Sequence, residues 1–203
     1  MIIELYGLSG SGKTSLAREF AKKTDFKTIK VKKKTELIFY NFLFLIKHPI
    51  KFFVTLFYLV SNSKGLRMFY SKFMNSFLHF NAKYQKALRC DKAILDEGYF
   101  QNIISIFEKE IDSEFLKRYL KFLLWPDLLF VFDNVDFDER LKRITKRGYG
   151  IANYLKKEEK ASWEKVVEKN DRTFKKNLKN IPVNYIIVDD KKNLSDILKK
   201  INN

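Results

Sequence analysis

Apolar positions along this chain follow two periodicities. Short runs rich in apolar residues recur at Ile2, Ile3, Leu5 and Tyr6, within Lys92–Gly98, within Leu128–Asp133 and at Val183–Val188, the length and character of buried strands. A fifth strand is predicted near residue 28. Between them the spacing turns helical. Ser15 to Lys23 sets Leu16, Ala17 and Phe20 on one side, and a helix is predicted from Asp136. Residues 64–89 carry Leu66, Phe69, Phe73, Phe77 and Phe80 at steps of three and four, predicting a long helix with a core-facing stripe. Leu194 to Ile201 closes the chain as a last helix. Alternating strands and helices predict an α/β fold with a five-stranded parallel sheet, its helices on both faces. The 203 residues suit one domain.

Between the first strand and the first helix stands Gly7-Leu8-Ser9-Gly10-Ser11-Gly12-Lys13-Thr14. This matches the G-x-x-x-x-G-K-[ST] pattern of a P-loop in full, in the strand-to-helix context that gives it meaning. Such glycines let successive backbone N–H groups turn inward toward phosphate oxygens. The following helix aims its positive end at the same anion. Gly7, Ser9, Gly10, Ser11, Gly12, Lys13, Thr14 and Ser15 are therefore the expected binding residues for ATP or a close nucleoside triphosphate. Lys13 is expected on the β- and γ-phosphates and the Thr14 hydroxyl on Mg²⁺. The fold expected is thus the three-layer P-loop NTPase sheet with a helical insertion and a lid.

Other P-loop classes lack their marks here. The guanine-reading N-K-x-D of GTPases is absent, as is an L-S-G-G-Q signature; Leu8-Ser9-Gly10 belongs to the P-loop itself. A AAA+ module usually needs more chain. What remains is the small-kinase branch. Lys92 to Gly98 reads as a strand ending in Asp96 and Glu97, which puts carboxylates near the metal and the transferred phosphate. Asp96 is the expected catalytic base or a group ordering the metal's water shell, and so also a metal-site residue; Glu97 is the alternative base. Trp125-Pro126-Asp127 precedes the Leu128–Phe132 strand. The helix from Asp136 carries Arg140, Arg143 and Arg147, followed by Gly148-Tyr149-Gly150.

In that order of segments the chain resembles the nucleoside-monophosphate-kinase-like P-loop kinases, and in particular the thymidylate-kinase-like group. The resemblance rests on the P-loop, the strand ending in acids near 96, the PDLLFVFDNVDFDERLKRITKRG segment from Pro126 to Gly148, and the final strand. It implies a lid near 148–160, with Arg143 and Arg147 near the ATP phosphates or base. Arg147, just before Gly148, is the favoured of the two; a salt bridge to Asp138 or Glu139 is the alternative for Arg140 and Arg143. The chain also departs from the group. Thymidylate kinases place an acid–Arg pair where this chain has Asp96-Glu97-Gly98, and that Arg contacts the acceptor phosphate. Its replacement by an acid releases the expectation that the acceptor is thymidylate.

Residues 35–90, where such kinases build the acceptor pocket, are strongly apolar and aromatic. Leu37–Ile46 and Phe52–Val60 are uncharged runs separated by Lys47-His48-Pro49-Ile50-Lys51. Each falls far short of the ~20 residues needed to span a bilayer, and Pro49 breaks a continuous helix. Three readings follow, in order: buried paired helices, a homodimer interface, or a hairpin on a membrane surface with Lys47, Lys51 and Lys64 near acidic headgroups. Arg67 and Arg89 are candidates to hold an anionic acceptor.

Net charge is +16, yet 32 of the 40 basic residues are Lys. Phosphate and nucleic-acid readers favour Arg forks, so most of this charge reads as solvated surface and no nucleic-acid partner is expected. One cysteine, Cys90, and two histidines, His48 and His79, leave no disulfide framework and no thiolate or histidine metal site. The N-terminus lacks a basic region leading into a signal-type stretch, which suits a cytoplasmic protein, with a peripheral membrane location as the companion of the hairpin reading. The expected activity is ATP-dependent phosphoryl transfer to a small nucleotide, nucleoside or sugar-like acceptor. The alternative is a nucleotide-dependent ATPase acting as a regulator or assembly factor at a partner or membrane, with glycan biosynthesis as one setting.

Overall fold

The computed structural model describes residues 1–133, 140, 142–143, 157–189 and 197–198. Its centre is a five-stranded sheet in the order β2-β3-β1-β4-β5, every neighbouring pair parallel. The strands are β1 (Ile2–Tyr6), β2 (Lys27–Thr28), β3 (Ala93–Leu95), β4 (Leu128–Phe132) and β5 (Asn184–Val188). β1, β3, β4 and β5 lie where the apolar runs predict them, and β2, Lys27–Thr28, lies at the position expected near residue 28 without an apolar run of its own. β1 sits in the middle, pairing Ile2 with Ala93 on one side and Ile3 with Leu128 on the other.

A parallel sheet is covered on both faces, so its inner strands β1, β3 and β4 are buried and, Glu4 apart, apolar throughout rather than alternating, while the edge strands β2 and β5 are partly exposed. Ile3 and Leu5 face one layer with Ala17 and Phe20 of α1 (Lys13–Lys23). Phe20 has no exposed surface and meets Phe26 and Phe130 edge-on, with ring centroids 5.3 and 5.8 Å apart. Burying one such side chain stabilises the fold by about 1.5–3 kcal/mol. Ile2 and Tyr6 face the other layer. There α8 (Lys157–Asn177) brings Phe174 to 4.3 Å from Tyr6 and 5.6 Å from Phe100.

The insertion between β2 and β3 is entirely helical: α2 (Lys34–Lys47), α3 (Pro49–Ser61), α4 (Leu66–Lys72), a π-helical segment (Phe73–Leu78) and α5 (His79–Ala87). Pro49 starts α3 at a position where a helix needs no N–H donor. α2 and α3 meet at a bend of 113°. The predicted long helix over 64–89 is present but interrupted by its π turn. Its stripe is only partly a core stripe. Phe77 and Phe80 are buried, Phe69 and Phe73 stack against the core, and Leu66 is 86% exposed. α4 begins at Leu66, before the helix reaches the body, so that first turn stands largely exposed.

The paired-helix expectation for 37–60 also holds on one face alone. Leu37, Phe44 and Leu59 are buried, while a second apolar face on each helix is open to solvent. No single described helix is long and apolar enough to cross a membrane. After β3 come α6 (Asn102–Ser105) and α7 (Ser113–Leu120); Asp112 caps α7 by accepting a hydrogen bond from the Phe115 N–H at 2.7 Å. The lid expected at 148–160 lies outside the described residues as far as 156, and from Lys157 the chain is the first turn of α8. Of the closing helix only Ile197 and Leu198 are described, both helical, with Ile197 buried.

Candidate active site

The P-loop connects the central strand to α1, at the carboxyl edge of the sheet, where parallel α/β sheets place their ligands. Gly10 and Gly12 take φ values of 83° and 92°, left-handed backbone that a side chain would strain. The turn is closed by Ser11 N–H donating to Leu8 O at 3.2 Å, and Ser15 N–H and Leu16 N–H both donate to Gly12 O at 3.0 Å. A Cβ on Gly7 would lie 2.7 Å from the Cβ of Phe132, so the loop can run this close to β4 only without a side chain there. The Ser11 hydroxyl is buried and has no hydrogen-bond partner among the described residues. Such a group sits better facing a ligand oxygen than facing nothing.

Lys13 is 5% exposed and folds back over the loop, donating to Gly7 O at 2.7 Å and Leu8 O at 3.0 Å. The same ammonium lies 4.0 Å from the Glu97 carboxylate. Asp96 and Glu97 follow β3, the neighbour of β1, so sheet order brings both acids beside the P-loop. Asp96 is held by Lys83 of α5 at 2.9 Å. On the other flank Arg140 Nε donates to Ser9 O at 3.2 Å and Arg143 Nη1 to Gly10 O at 3.3 Å. The two guanidinium groups therefore cover the loop. Arg147 lies outside the described residues, as do Asp138 and Glu139.

These residues fit a nucleoside triphosphate with Mg²⁺. The loop supplies left-handed glycines, a buried Ser11 hydroxyl with no hydrogen-bond partner among the described residues, and a lysine. Thr14 stands half-buried in the first turn of α1. Among the described residues no group of three His, Cys, Asp or Glu gathers that would hold a metal unaided. Mg²⁺ commonly takes only one or two protein ligands alongside substrate phosphates, and Thr14 with Asp96 is a set of that kind.

Sequence patterning missed the layer beneath the site. Gln101 makes a reciprocal pair with Gly7: its Nε2 donates to Gly7 O at 3.1 Å, and Gly7 N–H donates to its Oε1 at 3.4 Å. This ties the segment after β3 to the mouth of the P-loop. Glu4, inside β1, has no exposed surface; it accepts from the Phe100 N–H at 2.7 Å and from the Tyr84 hydroxyl. Burial pushes its carboxyl up to about 7. The available signal was Glu4 itself, an acid in the middle of an otherwise apolar strand. Lys83 had no signal at all, since its partner is known only once α5 is placed beside β3.

Arg89 is not at this site. It precedes β3, at the opposite end of the sheet from the P-loop, and stacks over Phe39 and Tyr40 at 5.6 and 5.7 Å. Arg67 is exposed on the first turn of α4.

No protein-family model matches the chain, and no curated protein matches it by sequence. Solved structures do resemble it. A deoxyadenosine kinase from M. mycoides, determined with dCMP and a flexible dCDP as products, superposes with a TM-score of 0.54 at 18% identity, covering 100% of this chain and 99% of that one. The same kinase with bound dATP gives a TM-score of 0.53 at 18% identity, covering 100% of both chains. Over its whole length the chain therefore has the three-layer P-loop fold of these kinases, a five-stranded parallel sheet with helices on both faces.

Proposed function

We propose that the protein transfers the γ-phosphoryl group of ATP to a hydroxyl of a small acceptor, with a nucleoside as the first candidate. One arrangement carries the proposal: the Asp96-Glu97 pair at the end of β3 borders the P-loop lysine, with Glu97 4.0 Å from Lys13. The phosphates would lie on the loop amides and Lys13, with Mg²⁺ between them, Thr14 and Asp96. The acceptor hydroxyl oxygen would attack the γ-phosphorus as the bond to the ADP oxygen breaks. Its proton would pass to Asp96 or Glu97. Arg143, already on the loop, would offset charge developing on the transferred group, with Arg147 as its expected companion.

The acceptor class rests on the similar structures, which are deoxyadenosine kinases with dATP or with dCMP and dCDP bound. Kinship with thymidylate-kinase-like proteins rests on the Pro126–Gly148 segment and is weakened by the missing Arg beside Asp96. Nucleotide and sugar-like acceptors belong in the same test. ATP labelled at the γ-phosphate, offered with deoxyadenosine, other nucleosides, nucleoside monophosphates, sugars and lipid-linked glycans, should give one labelled organic product. Asp96→Asn and Glu97→Gln should each keep ATP binding, and the variant lacking the base should lose transfer by about 10²–10⁴-fold. Label released only as inorganic phosphate would refute the kinase and favour the regulatory ATPase, for which the open apolar face of α2 and α3 speaks.

A further inference from the structure

α2 and α3 are apolar around most of their circumference, and only one face of each is used by the fold. The inner face carries Leu37, Phe44 and Leu59. The outer face carries Ile38, Phe42 and Ile46 on α2, exposed by 69, 60 and 59%, and Ile50, Phe53 and Phe57 on α3, exposed by 70, 60 and 67%. The spacing is helical on both, so these form two continuous stripes rather than scattered side chains. Patches of this kind on a surface mark a docking site. Ile38 and Phe42 also wall a cavity of about 460 Å³ between α2, α3 and the π turn, bounded on its far side by Met74 and Leu78.

Charge tells what would cover the stripes. Between Ile29 and Cys90 the chain has twelve Lys and Arg and a single acid, Glu36; Lys72, Lys83 and Lys86 are taken up by Glu108, Asp96 and Glu36, and the charge that matters for the stripes is that of the exposed lysines beside them. Lys33 and Lys34 stand exposed at the start of α2, Lys47 at the bend and Lys64 beyond α3. An apolar face bordered by lysines matches a surface with a hydrocarbon interior and anionic headgroups. A second copy of the chain fits less well, because pairing this face with itself would bring two lysine-bordered rims together with no acid at the face to offset them. The helices have 14 and 13 residues, about 20 Å each, against a hydrocarbon core of about 30 Å. Neither helix alone reaches across that core, and a bend of 113° suits a pair lying along the interface. The inner face is firmly attached: Asn41 donates to Leu78 O at 2.9 Å and Lys51 to Leu123 O at 3.0 Å.

We propose that the outer face of the α2–α3 elbow docks on an anionic lipid bilayer, with its isoleucines and phenylalanines entering the boundary between headgroups and acyl chains. This is independent of the phosphoryl acceptor. The test is flotation of the full chain with vesicles of phosphatidylcholine alone or with about 30% phosphatidylglycerol. Wild type should bind the anionic vesicles at least ~10-fold more tightly. The exposed-face variant Phe53→Asp/Phe57→Asp should lose that binding by ~10-fold or more while keeping its circular dichroism spectrum. Lys34→Glu/Lys47→Glu, which disturbs no packing, should lose it as well. Wild type left unbound by anionic vesicles overturns the proposal. So does binding that survives in Phe53→Asp/Phe57→Asp, since charge alone would then suffice. A stable wild-type dimer that this variant converts to monomer overturns it too, by assigning the face to a second copy.

Discussion

Tyr84 of α5 donates the hydrogen bond of its phenol to Glu4, in the middle of the central strand. Both are buried, and burial raises the carboxyl from its ordinary 4.5 to about 7 against the opposing pull of the Tyr84 and Phe100 hydrogen bonds. The fold thus prefers Glu4 protonated. Its contribution is complete below about pH 4.5 and is lost as the pH climbs through 7, a difference of ~3 kcal/mol. Glu4→Gln removes the titration. In urea unfolding from pH 5 to 8, wild type should lose stability relative to Glu4→Gln; parallel profiles would show that the Glu4 carboxyl is already as fully ionised in the folded protein as in the unfolded chain.

Gly98 is required by that same carboxyl. A Cβ at residue 98 would lie 2.6 Å from Glu4 Cδ and 2.9 Å from Tyr84 Cε2. Gly98→Ala should cost about 1–3 kcal/mol, read as a lowered Tm. In a Glu4→Ala background, where the nearer obstruction is gone and Tyr84 remains, the same change should cost less. Equal costs in the two backgrounds would locate the clash elsewhere.

Lys72 has no exposed surface, and its ammonium donates to Ile106 O at 2.6 Å and to the Glu108 carboxylate, itself 8% exposed. Removing one partner leaves the other charge buried. Lys72→Met should destabilise by about 3–5 kcal/mol, and Lys72→Met/Glu108→Gln should recover a large part of it. Chemical denaturation of the three proteins checks both statements, and additive losses would contradict the pairing.

Lys13→Ala should weaken ATP binding by about 10- to 100-fold, the loss of a charge-assisted hydrogen bond, with the fold retained. Arg143→Ala should bind ATP with a smaller loss and turn over more slowly. Isothermal titration and single-turnover rates separate the two. A folded Lys13→Ala protein with wild-type affinity would remove the P-loop assignment.

The framework was legible because its signals are local. β3 and β4 consist of consecutive apolar residues, β1 and β5 are apolar but for Glu4 and Asn184, and the P-loop is a contiguous string. Pro49 marked the break between α2 and α3. What stayed hidden depends on partners distant in sequence. Glu4 gains its character from the burial that the rest of the fold imposes on it, and Asp96 its cation from Lys83. The outer stripes of α2 and α3 look the same in sequence as the inner ones, because both faces are apolar. The π turn at Phe73–Leu78 left the three-and-four spacing intact, so the spacing alone did not reveal it.

The place of β1 also bears on how the chain comes off the ribosome. Its partners are Ala93–Leu95 and Leu128–Val131, so the first strand made cannot pair until much of the chain exists. Meanwhile α2 and α3, which need only local contacts to form, emerge with both apolar faces uncovered. At ~5–20 residues per second that interval lasts several seconds or more. During it the nascent protein is a ready client for a holdase chaperone, and its aggregation during expression should track the rate of translation through residues 35–95.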